Sequence, residues 1–204
     1  MIYENKKFLK GLRICTLPPI VALLMLSVLY CFCQGVFGGV KYYLLAVLFL
    51  VIIPVLAYVF KPVRTDLPKG GRERQRSVAM WLSLGSYLMG SVLAAILKSS
   101  FELKKIYLVY VISGLLMLFF NKVLGIRASG HACGVMGAGV CLFDSVGFPA
   151  LFGCLLLVAV YMASLKLRRH SWGELIVGSM IPILSSCMIM IWCLMCWAYE
   201  VMRF

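Results

Sequence analysis

The chain has 204 residues, of which 63% are apolar and 13% charged; the charged share is about half that of an average soluble domain. Its mean hydropathy is +1.01, and long apolar runs recur along its length. This composition excludes a soluble globular domain and a disordered chain. We therefore expect one all-α domain over residues 1–204, an integral membrane helical bundle with about six to seven transmembrane helices at ~20 residues each.

The apolar runs predict helices in chain order at 15–33, 43–60, 78–97, 105–121, 130–143, 148–165 and 174–198. The first run lacks small residues at a cleavage point, which favours a retained first span over a signal peptide. One long polar stretch, 61–77, contains Pro62, Pro68 and Gly70-Gly71. It predicts a surface loop or a short amphipathic helix.

The alternation of these spans places four polar segments on one membrane face: the N-terminal tail, 61–77, 122–130 and 166–173. Most of the lysines and arginines that produce the net charge of +13 fall on this face. The positive-inside rule predicts that the face is cytoplasmic, so we expect a multi-pass cell-membrane protein. Two interpretations of the charge stay open: topology signals that also attract anionic lipids, or a pocket for an anionic substrate. Nucleic acid is not an expected partner.

The only two histidines, His131 and His170, fall on this same face beside basic residues. Imidazole can attack, accept or donate a proton near neutral pH. Ser129-Gly130-His131 begins a predicted helix, where free N–H groups favour a phosphate, or where Ser129 simply caps the helix. Glu174 lies four residues after His170, so it either fixes the imidazole tautomer or forms a weak surface pair.

Six residues separate Lys69 from Arg76 in the basic stretch. Together, Lys69-x6-Arg76, Ser129-Gly130-His131 and His170-x3-Glu174 resemble the signature of the type 2 phosphatidic acid phosphatase superfamily, over roughly residues 60–190. The family pattern is Lys-x6-Arg-Pro, Pro-Ser-Gly-His and Ser-Arg-x5-His-x3-Asp. This chain departs from it at Ser77 and Ala128, which replace prolines, at Ala163-Ser164, which replaces Ser-Arg, and at Glu174, which replaces Asp.

The resemblance implies a helical membrane enzyme that works without a metal or cofactor. It implies that His170 is the nucleophile that forms a phosphohistidine, that Glu174 orients it, and that His131 protonates the leaving group and later activates water. The phosphoryl oxygens would be held by Lys69, Arg76, Ser129 and the Gly130 N–H. The arginine expected at Ser164 is missing; Lys166, Arg168 or Arg169 could substitute for it, and Arg72 or Arg74 could act instead of Arg76.

A phosphate site at the membrane boundary predicts a lipid phosphatase. The expected substrates are a polyprenyl phosphate or diphosphate, phosphatidic acid or phosphatidylglycerol phosphate, and the expected partners are this substrate and membrane lipids. A homo-oligomer is compatible with the sequence. Two alternatives stay open: a lipid phosphotransferase, and a non-catalytic membrane protein that binds or transports anionic lipids.

Overall fold

A computed structural model describes residues 9, 11–59, 69–147 and 153–202, with the side chains of 57–59, 69–75 and 200–202 left out. Every regular element in these ranges is helical, so the all-α prediction is confirmed for them. The main helices are α1 (Pro18–Phe32), α2 (Val40–Val47), α3 (Ile53–Val59), α4 (Lys69–Ile96), α5 (Phe101–Leu118), α6 (Gly130–Val146), α7 (Gly153–Lys166) and α8 (Trp172–Met202), and a short 3-10 helix, Gln34–Val36, follows α1. A π-helical turn, Leu48–Ile52, joins α2 to α3, and a second one, Phe119–Val123, extends α5.

Each of the seven predicted spans overlaps an apolar helix of the described chain, and residue 60 and residues 148–152 of those spans lie outside it. Three helices are long and apolar enough to cross a membrane: Arg76–Ile96, Phe101–Val123 and Trp172–Tyr199. The other apolar helices are shorter: Pro18–Phe32, Val40–Leu56, Gly130–Val146 and Gly153–Lys166. The protein is therefore membrane-associated, and within the described ranges three helices rather than six to seven qualify as spans by length.

The polar stretch 61–77 divides at the start of α4. Residues 60–68 lie outside the described chain, whereas 69–77 are helical and continuous with the third predicted span. In the described chain the helix begins at Lys69, and after Gly70-Gly71 it is rich in Arg, Glu and Gln, which have good helix propensity. Of the two predicted alternatives, a surface loop or a short amphipathic helix, residues 69–77 adopt the helix, and Arg76 lies on it.

Helix α6 lies at the centre of the bundle and packs most extensively against α8 and α1. Glycines allow both contacts, since a Cβ on Gly134 would lie 2.7 Å from the Pro18 side chain and one on Gly178 would lie 2.5 Å from the Ser129 carbonyl oxygen. At the far end of α6, Asp144 forms an ion pair with Lys105 of α5 at 2.9 Å. The two helices therefore run antiparallel, and the beginning of α6 lies beside the end of α5.

Candidate functional site

Both histidines line one cavity of about 750 Å³ at the end of the bundle where α4, α6 and α8 begin. The cavity is also lined by five arginines, and no acidic side chain lines it among the residues that the structure describes. These arginines are Arg13, Arg76, Arg127, Arg168 and Arg169. Guanidinium groups present planar donor forks that match phosphate oxygens, so the chemistry of the lining favours a phosphate-like anion.

His170 is held by Glu174 at the start of α8. Its Nδ1–H donates to Glu174 Oε2 at 2.8 Å, and its side chain is 12% exposed. Because the carboxylate accepts from Nδ1, the Nε2 lone pair is left available to the cavity. Burial lowers the pKa of His170 below its ordinary value, the hydrogen bond and charge of Glu174 oppose this shift, and Arg76 and Arg13 add to it.

Glu174 also belongs to a capping box. Its Oε2 accepts from the Ser171 N–H at 3.2 Å, and its own N–H donates to Ser171 Oγ at 3.3 Å. This reciprocal pair satisfies two free donors at the N-terminus of α8. The Ser-x-x-Glu spacing was present in the sequence, and it explains why a glutamate in this position is rigid enough to orient an imidazole.

A backbone contact couples the two histidine-bearing segments. The Ser129 N–H donates to the Glu174 carbonyl oxygen at 2.9 Å, one turn before the close approach of Gly178 to Ser129. Ser129 caps α6, since its Oγ accepts from the Ala132 N–H at 3.4 Å. Ser129 is fully buried and does not line the cavity. The structure thus gives it the capping role that the sequence left open, whereas Gly130, the next residue, does line the cavity.

His131 lies in the first turn of α6 and contacts the segment before α1. Its Nε2 lies 3.2 Å from the Arg13 carbonyl oxygen. A carbonyl can only accept, so Nε2 carries the proton and Nδ1 is the nitrogen left for other partners. The contact joins residues that are 118 positions apart in the chain.

Arg76 fastens the loop that precedes α6. Its Nη2 donates to Asn121 Oδ1 at 2.9 Å and to the Ala128 carbonyl oxygen. Asn121 lies in the π-helical turn after α5, where its Nδ2 also donates to the Met117 carbonyl oxygen at 2.6 Å. π-turns of this kind are frequent at functional sites. Here the turn supplies an amide that positions a cavity arginine.

A reversal of the chain after α7 brings the next arginines into the cavity. The N–H of Arg169 donates to the Ser164 carbonyl oxygen at 3.0 Å, and that of Arg168 donates to Leu165 at 2.9 Å. This is the Schellman pattern, with Arg168 at φ 48° in a left-handed position that glycine usually occupies. The helix therefore ends at Lys166, and both arginines line the cavity instead of continuing along a helix.

Away from the arginines the cavity is apolar. It extends between α4 and α5 along Leu84, Tyr87, Val109, Tyr110 and Met117. The rings of Tyr87 and Tyr110 pack edge to face with centroids 5.3 Å apart. The cavity thus combines a cationic part with an apolar part, as an amphiphile with an anionic head group would require.

The structure brings six of the nine predicted site residues to one place: His170, His131, Glu174, Arg76, Gly130 and Arg169. Ser129 is adjacent but buried. Lys69 is the first residue of α4, and the side chains of Lys69 and Arg72 lie outside the described residues. Arg13 and Arg127 line the cavity without having been predicted as ligands, and Arg168, one of the residues expected to substitute for the missing arginine, lines it too.

No family model matches the sequence, no curated protein matches it, and no solved structure matches the fold. Within the described ranges, no three His, Cys, Asp or Glu side chains lie close enough together to hold a metal ion.

Proposed function

We propose that this chain is a divergent member of the type 2 phosphatidic acid phosphatase superfamily, a membrane lipid phosphatase that works through a phosphohistidine. One observation supports this proposal above the others: His131 and His170, the only histidines of the chain, line the same arginine-rich cavity. Two imidazoles and a cluster of cations are the groups that a phosphoryl transfer without metal needs.

In the proposed reaction, His170 Nε2 attacks phosphorus and the bond from phosphorus to the leaving oxygen breaks. Glu174 accepts a hydrogen bond from the His170 Nδ1–H and stabilises the positive charge that develops on the His170 ring. His131 acts as the general acid: Nε2–H stays on the Arg13 carbonyl and, once Nδ1 is protonated, Nδ1–H is given to the leaving oxygen. After the leaving group departs, His131 takes a proton from water as the water oxygen bonds to phosphorus; the N–P bond breaks, its electron pair returns to His170 Nε2, and phosphate is released.

The shape and polarity of the cavity support a lipid phosphate as substrate. Arginines would bind the head group, and the apolar part along Tyr87 and Tyr110 would receive hydrocarbon. A polyprenyl phosphate or diphosphate, phosphatidic acid and phosphatidylglycerol phosphate all have this character. A small water-soluble phosphate ester would leave the apolar part unused.

We propose further that the four shorter apolar helices also cross the membrane, which with the three long helices gives seven spans, with the site on the cytoplasmic face. They are packed inside the same bundle as the three long helices. At 1.5 Å per residue, helices of 14 to 17 residues reach roughly 21–26 Å, somewhat short of a bilayer core of about 30 Å. Local thinning of the bilayer accommodates such helices.

The test is phosphate release from a panel of lipid phosphates by the full chain in detergent with EDTA. We expect His170→Ala to abolish release and acid-labile, base-stable phosphate to accumulate on the protein in His131→Ala. Release by His170→Ala at the parent rate would refute the nucleophile assignment. Transfer of phosphate to an added lipid or sugar in preference to water would identify a phosphotransferase, and binding without release or transfer would identify a non-catalytic lipid-binding or transport protein.

A further inference from the structure

The cavity lacks the arginine that the resemblance predicts on α7. Ser164 occupies that position, is buried in the helix, and uses its carbonyl oxygen to end α7 through the Arg169 N–H. A phosphoryl group in the cavity therefore needs another cation. The structure offers one from a segment that lies outside the three resembling motifs.

Arg13 belongs to the segment before α1, and its place in the cavity is fixed at two points. Its carbonyl oxygen accepts the His131 Nε2–H at 3.2 Å. The following turn is closed by Thr16, whose N–H and Oγ1 both donate to the Leu12 carbonyl oxygen, at 3.0 and 2.9 Å. The start of α1 is held close to α6 because Gly134 has no side chain to displace Pro18.

The guanidinium of Arg13 is partly desolvated and incompletely bonded. Its Nε is buried and has no hydrogen-bond partner among the described residues. Burial, and then the charge of Arg169, lowers the pKa of Arg13 below its ordinary value. A partly buried cation beside a second cation is costly unless an anion balances it, and the described cavity lining supplies no carboxylate.

The other four arginines of the cavity are placed differently. Arg127, Arg168 and Arg169 are exposed, so water screens their charges. Arg76 donates to Asn121 and to the Ala128 carbonyl oxygen, which fastens a loop. Arg13 is thus the arginine with a buried donor still to be satisfied, and charge interactions are strongest where water is excluded.

We infer that Arg13 binds the phosphoryl oxygens of the substrate beside His131, in place of the arginine that is missing at Ser164. This inference rests on the proposed function and adds a residue to it. Because the carbonyl of the same residue holds His131, one residue both orients the general acid and binds the group on which it acts. The N-terminal segment is then part of the phosphate site and not only a topology signal.

The experiment compares Arg13→Gln with Lys122→Gln, a control that removes an exposed cation from the same end of the bundle but outside the cavity lining. Binding of inorganic phosphate and of orthovanadate to the purified full chain is measured by the shift of thermal unfolding, and phosphate release is measured from a lipid phosphate. We expect Arg13→Gln to bind both anions at least about tenfold more weakly, since it loses a charge-assisted hydrogen bond. Release should fall by about 10²–10³. Lys122→Gln should match the parent in both.

Arg13→Lys separates charge from geometry and serves if the glutamine variant does not fold. Lysine keeps the charge but lacks the planar fork, so we expect intermediate anion binding. Anion binding by Arg13→Gln or Arg13→Lys as tight as that of the control would overturn the assignment of Arg13 while leaving the proposed function intact. Failure of the parent chain to bind either anion or to release phosphate would overturn the proposed function itself.

Discussion

Replacing Gly178 by alanine tests whether the close approach of α8 to α6 sets the geometry of the site. A Cβ at this position would lie 2.5 Å from the Ser129 carbonyl oxygen and 2.9 Å from its nitrogen. Ordinary contact begins at 3.4 Å, so the two backbones must separate by up to roughly 0.9 Å. This separation acts where the Ser129 N–H donates to Glu174, between the segments that carry His131 and His170.

A misplacement of about 1 Å can cost on the order of 10² in rate, and we expect a loss of that size in phosphate release by Gly178→Ala. Overpacking should cost about 1–3 kcal/mol of stability, and the better helix propensity of alanine should return about 1 kcal/mol. The matched control is Gly139→Ala in α6, where the added Cβ meets nothing within 4 Å. Phosphate release and thermal unfolding in detergent are measured for both variants. Gly178→Ala activity indistinguishable from that of Gly139→Ala would refute the role of this contact.

Three further outcomes follow from the contacts at the two ends of the bundle. Glu174→Gln retains the capping box but removes the charge that raises the pKa of His170. His170 then stays neutral, and so able to attack, down to a lower pH. The acid limb of the pH profile of kcat/KM should therefore move to lower pH. An unchanged limb would contradict the assignment of His170. In Gly134→Ala the new Cβ would lie 2.7 Å from α1, which should displace the segment that carries Arg13. This variant should therefore bind orthovanadate more weakly than Gly139→Ala does; equal binding by the two variants would contradict this. Asp144→Asn removes the partly exposed ion pair with Lys105, and should cost less than about 1 kcal/mol in thermal unfolding with phosphate release unchanged; a large loss of activity would show that the far end of the bundle affects the site.

Much of the site could be predicted from short spacings in the sequence. His170 and Glu174 are four residues apart, so their contact follows from helix geometry as soon as a helix begins at Trp172. The gathering of His131 and His170 at one end follows from counting apolar runs between them. Both features depend on the order of residues and apolar runs along the chain, and hydrophobic periodicity and helix-start signals in the sequence indicate that order directly.

The remaining part of the site depends on contacts that no local pattern expresses. Arg13 meets His131 across 118 positions. Nothing nearby in the sequence distinguishes Gly178, which touches Ser129, from Gly173, which has open space around it. The turn at Arg168, which ends α7, could not be predicted either. Left-handed φ values are typical of glycine, so an arginine at this position favours a continuing helix.

The packing of the basic face bears on the choice between topology signals and an anion site. A topology signal acts through its charge during insertion, and it needs neither burial nor convergence in the finished fold. Arg13 nevertheless has a buried Nε, and Arg76 is bonded to Asn121 and the Ala128 carbonyl beside the same cavity. Taking like charges out of water and placing them together costs free energy that a bound anion would offset. The packing of Arg13 therefore favours the anion site that we propose over a topology signal alone.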